Sequence, residues 1–212
     1  MSEKSFWKEK KDKNWLKNFW FYYKYRIILG AMLITFFTVW IVSCVRSINY
    51  DLIGYYIGED PVGKDFRINA ANKFKELIDD VNDDGEINFD LQNLTSGDVD
   101  NITSESDYAM QTAIQFEMIE GEGYLYLLDE VFYKHCLKTE LLKDISDITG
   151  DSSAVYAISV ENNPLIKEIG YSSDKNLYMC VRVINTKQRS EDEQIKFQNN
   201  ALKIIKYFYS YK

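Results

Sequence analysis

Nineteen consecutive residues, Ile27 to Val45 (IILGAMLITFFTVWIVSCV), contain no charged or strongly polar side chain. At about 1.5 Å of helical rise per residue the run reaches roughly 28 Å, close to the ~30 Å hydrocarbon core of a bilayer. Within that core every backbone N–H and C=O must be paired internally, which a lone segment achieves only as an α-helix. A helix buried in a soluble core is shorter or keeps a polar stripe. The run therefore predicts a transmembrane helix over 27–45, and the rest of the chain divides into what lies on either side of it.

Charge predicts which side is which. Residues 1–26 hold eight Lys and Arg against three acids, a net of +5, whereas seventeen basic residues face thirty acids beyond Val45, a net of −13. Basic residues flanking a span stay in the cytoplasm, so 1–26 is expected to be a cytoplasmic arm and 46–212 an extracytoplasmic domain. The stretch Phe19 to Tyr25, FWFYYKY, fits a membrane interface, where Trp and Tyr settle at the headgroups and Lys meets anionic lipid. The apolar run exceeds the 7–15 residues of a signal-peptide core and follows a long basic arm, which favours a retained anchor over a cleaved leader. Ile41-Val42-Ser43-Cys44 matches the pattern of a lipobox, so a lipoprotein processed and acylated at Cys44 is the alternative. Either way the lipid bilayer is a partner, and the location is the cell membrane.

The acidic part alternates between two periodicities. Tyr50 to Gly58 predicts a strand, and Phe66, Ala70, Phe74, Leu77, Ile78 and Val81 form one helical stripe. Asn82-Asp83-Asp84-Gly85 is a turn, followed by a strand over Ile87 to Leu94. Thr95 to Ser106 has loop composition, and Met110, Ala113, Ile114 and Met118 share one face of a helix over 108–120. Tyr124 to Leu128, YLYLL, is a continuous apolar run suited to a central strand covered on both faces. A helix is expected over Val131 to Ile145, strands over Ala154 to Val160 and Leu177 to Ile184, and a short helix near Pro164. Ser190-Glu191-Asp192-Glu193 is a capping box opening a last helix with Phe197, Ala201, Ile204, Ile205 and Phe208 on one face. Alternating strands and helices predict one three-layer α/β domain with a mostly parallel sheet.

The segment from Tyr50 to Ile145 resembles the first lobe of bacterial extracellular solute-binding proteins. The resemblance is carried by YDLIGYYIG, INFDLQNL and MQTAIQFEMIEGEG running into YLYLLDEVFYKHCLKTELLKDIS, with Leu128-Asp129 and Leu142-Lys143-Asp144-Ile145 in the corresponding places. With its aromatic-basic approach to the span, the whole chain is similar to small membrane-anchored proteins of Gram-positive bacteria. The resemblance implies a single lobe, because the residues after Ile145 complete one lobe and leave none for a second. A lone lobe has strand ends but no opposing wall to bury a solute.

Chemistry-bearing residues are sparse. His135 is the lone histidine, and its neighbour Cys136 points about 100 degrees away on a helix, so the two make no catalytic dyad. The sequence has no G-x-S-x-G, glycine-rich phosphate loop, CxxC or H-E-x-x-H. Acid pairs such as Asp79-Asp80 and Asp129-Glu130 keep a membrane-tethered, hydrolase-like enzyme as the alternative to the favoured non-catalytic domain, which would bind a small molecule or another membrane or envelope protein. The absence of a basic stripe disfavours nucleic acid. Cys136 and Cys180 are expected as small core residues. One cofactor pattern remains, a weak Ca2+ loop with Asp80, Asn82, Asp84, Glu86 and Asn88 as ligands around Gly85. It lacks the bidentate Glu of an EF-hand, since Leu91 occupies the twelfth position and Asp90 precedes it.

Overall fold

The computed structural model describes residues 13–45, 48–95, 104–151, 154–184 and 190–211, and within the first helix the side chains of 17–41. The chain divides into two compact units, Met1–Ile48 and Asn49–Lys212. The first contains α1, Lys13–Val45, so the helix extends nearly four turns beyond the apolar run into the basic arm. Lys17–Ile41 is long and apolar enough to cross a membrane. Within the apolar run the hydroxyls of Thr35 and Thr38 are satisfied inside the helix, donating to the carbonyls of Ala31 and Ile34 at 2.9 and 2.8 Å. On the arm side, Lys24 lies 5.0 Å from the Tyr25 ring centre and Arg26 5.8 Å from that of Tyr23. The backbone is helical at Cys44, whose side chain lies outside the described residues.

The second unit runs β1 (Leu52–Gly58), α2 (Lys64–Lys75), β2 (Phe89–Thr95), α3 (Glu105–Glu120), β3 (Leu125–Asp129), α4 (Glu130–Cys136), α5 (Ser146–Thr149), β4 (Ala157–Ser159), α6 (Pro164–Glu168), β5 (Leu177–Val181) and α7 (Glu191–Ser210). The five strands form one sheet in the order β2-β1-β3-β5-β4. Side chains alternate across it with the period of a pleated strand. Leu52 and Tyr56 of β1, Leu125 and Leu127 of β3, Leu177, Met179 and Val181 of β5 and Ile158 of β4 face one cluster, shared with α2, α6 and α7. Tyr55, Ile57, Tyr126, Leu128, Cys180 and Ala157 face the other, shared with α3 and α4. The three-layer α/β architecture expected from the sequence is present, with β3 central and wholly buried. Each fully buried Leu, Ile or Phe contributes about 1.5–3 kcal/mol.

The sheet is mixed, which corrects the mostly parallel arrangement. β1 is parallel to β2 and β3, but β5 is antiparallel to both β3 and β4. A parallel return needs a crossover the length of a strand. The five-residue α6 instead stays at the strand ends, where the Val160 N–H donates to the Leu177 carbonyl at 2.8 Å and the chain turns back beside β4. The helix expected over 131–145 ends at Cys136. Glu140 takes a left-handed φ of 56°, and Leu142 bridges Arg182 in extended conformation. Pairing with the end of β5 (Lys143 N–H to the Val181 carbonyl, 2.8 Å) outweighs helical propensity there. α2 likewise stops at Lys75, although Ile78 beyond it stays buried. The loop expected over 95–106 falls mainly on 96–103, outside the described residues.

Candidate functional site

β1 and β3 are parallel neighbours whose following helices leave to opposite faces, α2 to one and α4 to the other. That makes the carboxyl ends of these strands a topological switch point, where open α/β sheets commonly bind ligands. Asp129, 2 % exposed, stands there. Its Oδ1 accepts the Phe132 N–H at 3.0 Å, capping α4, and its Oδ2 accepts the Glu59 N–H at 2.9 Å, closing the turn after β1. Both oxygens are thus engaged in holding two chain segments together. Lys175, just ahead of β5, spans the same rim and pairs with Glu59 Oε2 at 2.9 Å and Asp60 Oδ2 at 2.7 Å. These bonds raise its pKa. Asn93 Oδ1 accepts the Val62 N–H at 3.4 Å. Lys175 and its two acids are a rim feature that sequence reasoning missed, because nothing in a lone Lys marks a partner 116 residues away.

The five proposed calcium ligands lie on one short loop between α2 and β2. Asp80 accepts the N–H groups of Asp83 and Gly85 at 2.7 and 2.8 Å, Asn82 Oδ1 accepts that of Asp84 at 3.0 Å, and Asp84 Oδ1 accepts that of Glu86 at 2.9 Å. The loop requires left-handed backbone at Asp83 (φ 59°) and Gly85 (φ 83°), which Asp tolerates and Gly adopts freely. Asn88 donates its N–H to Asp51, and Glu86 is exposed. Among the described residues no group of three or more His, Cys, Asp or Glu is assembled as a metal set.

The thiols and the histidine do not meet at a site. Cys136 and Cys180 are free and buried in the α3–α4 face of the core. Burial pushes the Cys136 thiol up to about 12 and raises Cys180 well above its usual value. His135 is exposed on α4.

A buried arginine sits at the opposite end of β3. Arg182, 3 % exposed, lies over the Tyr124 ring at 4.9 Å and donates from Nη1 to the Glu117 carbonyl oxygen at 3.3 Å, while its Nε has no hydrogen-bond partner. Burial raises the Glu117 carboxyl; the Gly123 N–H, the Tyr55 hydroxyl and Arg182 oppose that rise without cancelling it.

Two concavities lie in the second unit. One, about 670 Å³, is lined by Asp79, Asp80 and Asp147 facing Lys196, Lys203 and Lys206 of α7, with Lys203 paired to Asp79. The other, about 470 Å³, is a mainly apolar groove between α3 and α4. No protein-family model, curated protein or solved structure matches this chain.

Asp80→Ala should lower the melting midpoint by about 2–4 °C in chelator, since removing such a local acceptor costs about 1 kcal/mol. Several-millimolar calcium raising the wild-type midpoint, but not that of the variant, would add a cation to the loop's role. An unchanged variant midpoint would contradict the hydrogen-bonding account.

Glu117 generates a pH prediction. A carboxyl with a raised folded pKa binds its proton more tightly when folded, so this stabilisation is full at low pH and is lost as pH rises through the folded value. Glu117→Gln should therefore melt above wild type at pH 7 and lose that advantage as pH falls below the ordinary 4.5. An equal or lower midpoint at pH 7 would contradict it.

Proposed function

We propose that this chain is a single-pass membrane protein whose basic arm is cytoplasmic and whose Asn49–Lys212 unit is displayed outside as a non-catalytic binding or interaction domain, serving a membrane or envelope system. The observation that carries the reading is α1. From Ile27 to Ile41 its Ile, Leu, Met, Phe and Trp side chains are exposed, with Met32 at 66 % and Ile34 at 70 %, and no part of the second unit's core is drawn from them. Leaving that surface in water costs about 25 cal/mol per Å², and a bilayer removes the cost along the whole helix. The charge difference of +5 against −13 supports the orientation.

Binding is favoured over catalysis because groups that a hydrolase would employ are engaged elsewhere. Asp129 spends both oxygens on backbone N–H groups, Lys175 is neutralised by Glu59 and Asp60, and the thiols are held protonated by burial. Motifs over Tyr50–Ile145 support a lone solute-binding-like lobe, a format suited to contact at a surface. The test is protease treatment of intact cells expressing a C-terminally tagged chain. The tag should be lost without lysis, and the chain should resist alkaline extraction from membranes. A tag digested only after lysis, or a chain released at high pH, would overturn the reading.

A further inference from the structure

We propose that the groove between α3 and α4 binds a single-chain amphiphile drawn from the membrane, with its apolar chain on the groove floor and a hydrogen-bond-accepting head, in the simplest case a carboxylate, at the mouth. This deepens the binding-domain reading and rests on it.

The floor consists of Ile114 and Met118 from α3, Phe132 from α4 and Leu141 beyond it, with Ile119 on the rim. At about 470 Å³ the space falls in the ~300–1,000 Å³ range of pockets for one small molecule. α3 is also apolar away from the core. An ordinary surface helix buries one stripe and presents polar groups elsewhere. Here Ile114 and Met118 are buried, yet Tyr108, Phe116 and Ile119 of the same helix remain 66 %, 60 % and 47 % exposed, Ile119 on the groove's rim.

The polar lining selects the head group. The chain has 33 acids, but none of the nine residues lining the groove is acidic. The polar ones are Gln111, Gln115, His135 and Thr139, each able to donate a hydrogen bond. Thr139 already donates to the Cys136 carbonyl at 2.8 Å. Gln115 and His135 make no side-chain hydrogen bond among the described residues, so their donors are available. A ligand ending in an acceptor satisfies them, whereas an ammonium would find no acidic counter-ion in the lining. A second copy fits less well, because α3 carries Glu105, Asp107, Glu117 and Glu120 and no Lys or Arg, so paired α3 surfaces would set acids against acids.

The experiment uses the full chain in lipid nanodiscs and a hexadecanoic acid bearing a mid-chain diazirine. After irradiation, label should appear in peptides between residues 111 and 141 and be competed by unlabelled hexadecanoate but not by hexadecylamine. Met118→Trp, which fills the floor, should reduce that label at least tenfold. Leu141→Trp, at the half-buried edge, fills the same space and keeps the result independent of how Met118→Trp folds. Gln115→Ala combined with His135→Ala should weaken competition by hexadecanoate several-fold without moving the melting midpoint. Label in 27–45 should persist in every variant and report the anchor, so its loss would count against the membrane reading alone. Label confined to 27–45, groove label unaffected by both Trp variants, or a dimer whose formation shields the groove would each overturn the proposal.

Discussion

The buried carboxylate of Asp51 is the constraint on which much of the second unit depends. It sits at the entry to β1 with no exposed surface, and a charge taken out of water is tolerated only when its oxygens are fully engaged. Oδ1 accepts the Val81 N–H at 2.9 Å and that of Asn82 at 3.4 Å, while Oδ2 accepts the Asn88 N–H at 2.8 Å. Its own N–H donates to the Asn88 carbonyl at 2.8 Å. One side chain thus folds the 79–88 loop back onto β1 and starts the pairing of β2. Asn200 of α7 joins in, donating to the carbonyls of Asp51 and Asp79 and accepting the Asp79 N–H. The last helix is therefore tied to the first strand through groups 149 residues apart.

From that corner the three layers follow by burial on both sheet faces. Phe74 packs edge-on against Phe89 and Phe208, joining α2, β2 and α7. Gly54 of β1 leaves room for this cluster, since a Cβ there would stand 2.9 Å from the Phe89 ring. On the other face Tyr55 and Tyr126 stack beneath α3 and α4. Asp129 then couples β1 to α4 at the switch point, where a carboxylate free to face solvent would have suggested chemistry. On the same face, α3 leaves Tyr108, Phe116 and Ile119 exposed beyond its buried stripe.

Much of this was legible in the sequence because it depends on neighbours along the chain. Ser190 and Glu193 form the reciprocal cap their spacing announces, and Phe197, Ala201, Ile204, Ile205 and Phe208 are all buried. YLYLL lies at the centre of the sheet because an apolar run without alternation needs cover on both faces. The Asp80 loop was legible as a turn for the same local reason. Distant pairings were not. Leu142 leaves helical conformation to bridge Arg182, and β5 runs antiparallel because α6 is too short to carry the chain back along the sheet. Lys175 meets Glu59 and Asp60 only through the fold, and the groove exists only because α3 and α4 share one face. The likeness to a solute-binding lobe rests on local motifs of Tyr50–Ile145 alone, and no solved structure supports it.

The central claim is that an apolar helix anchors a unit that carries its own complete core. It is tested most directly by removing residues 1–48 and examining what remains by sedimentation and thermal melting without detergent. Both core clusters lie between Leu52 and Tyr209. The account predicts a soluble species with one cooperative transition whose midpoint matches that of the same unit in the intact chain. A truncated chain that aggregates, or melts without cooperativity, would contradict it.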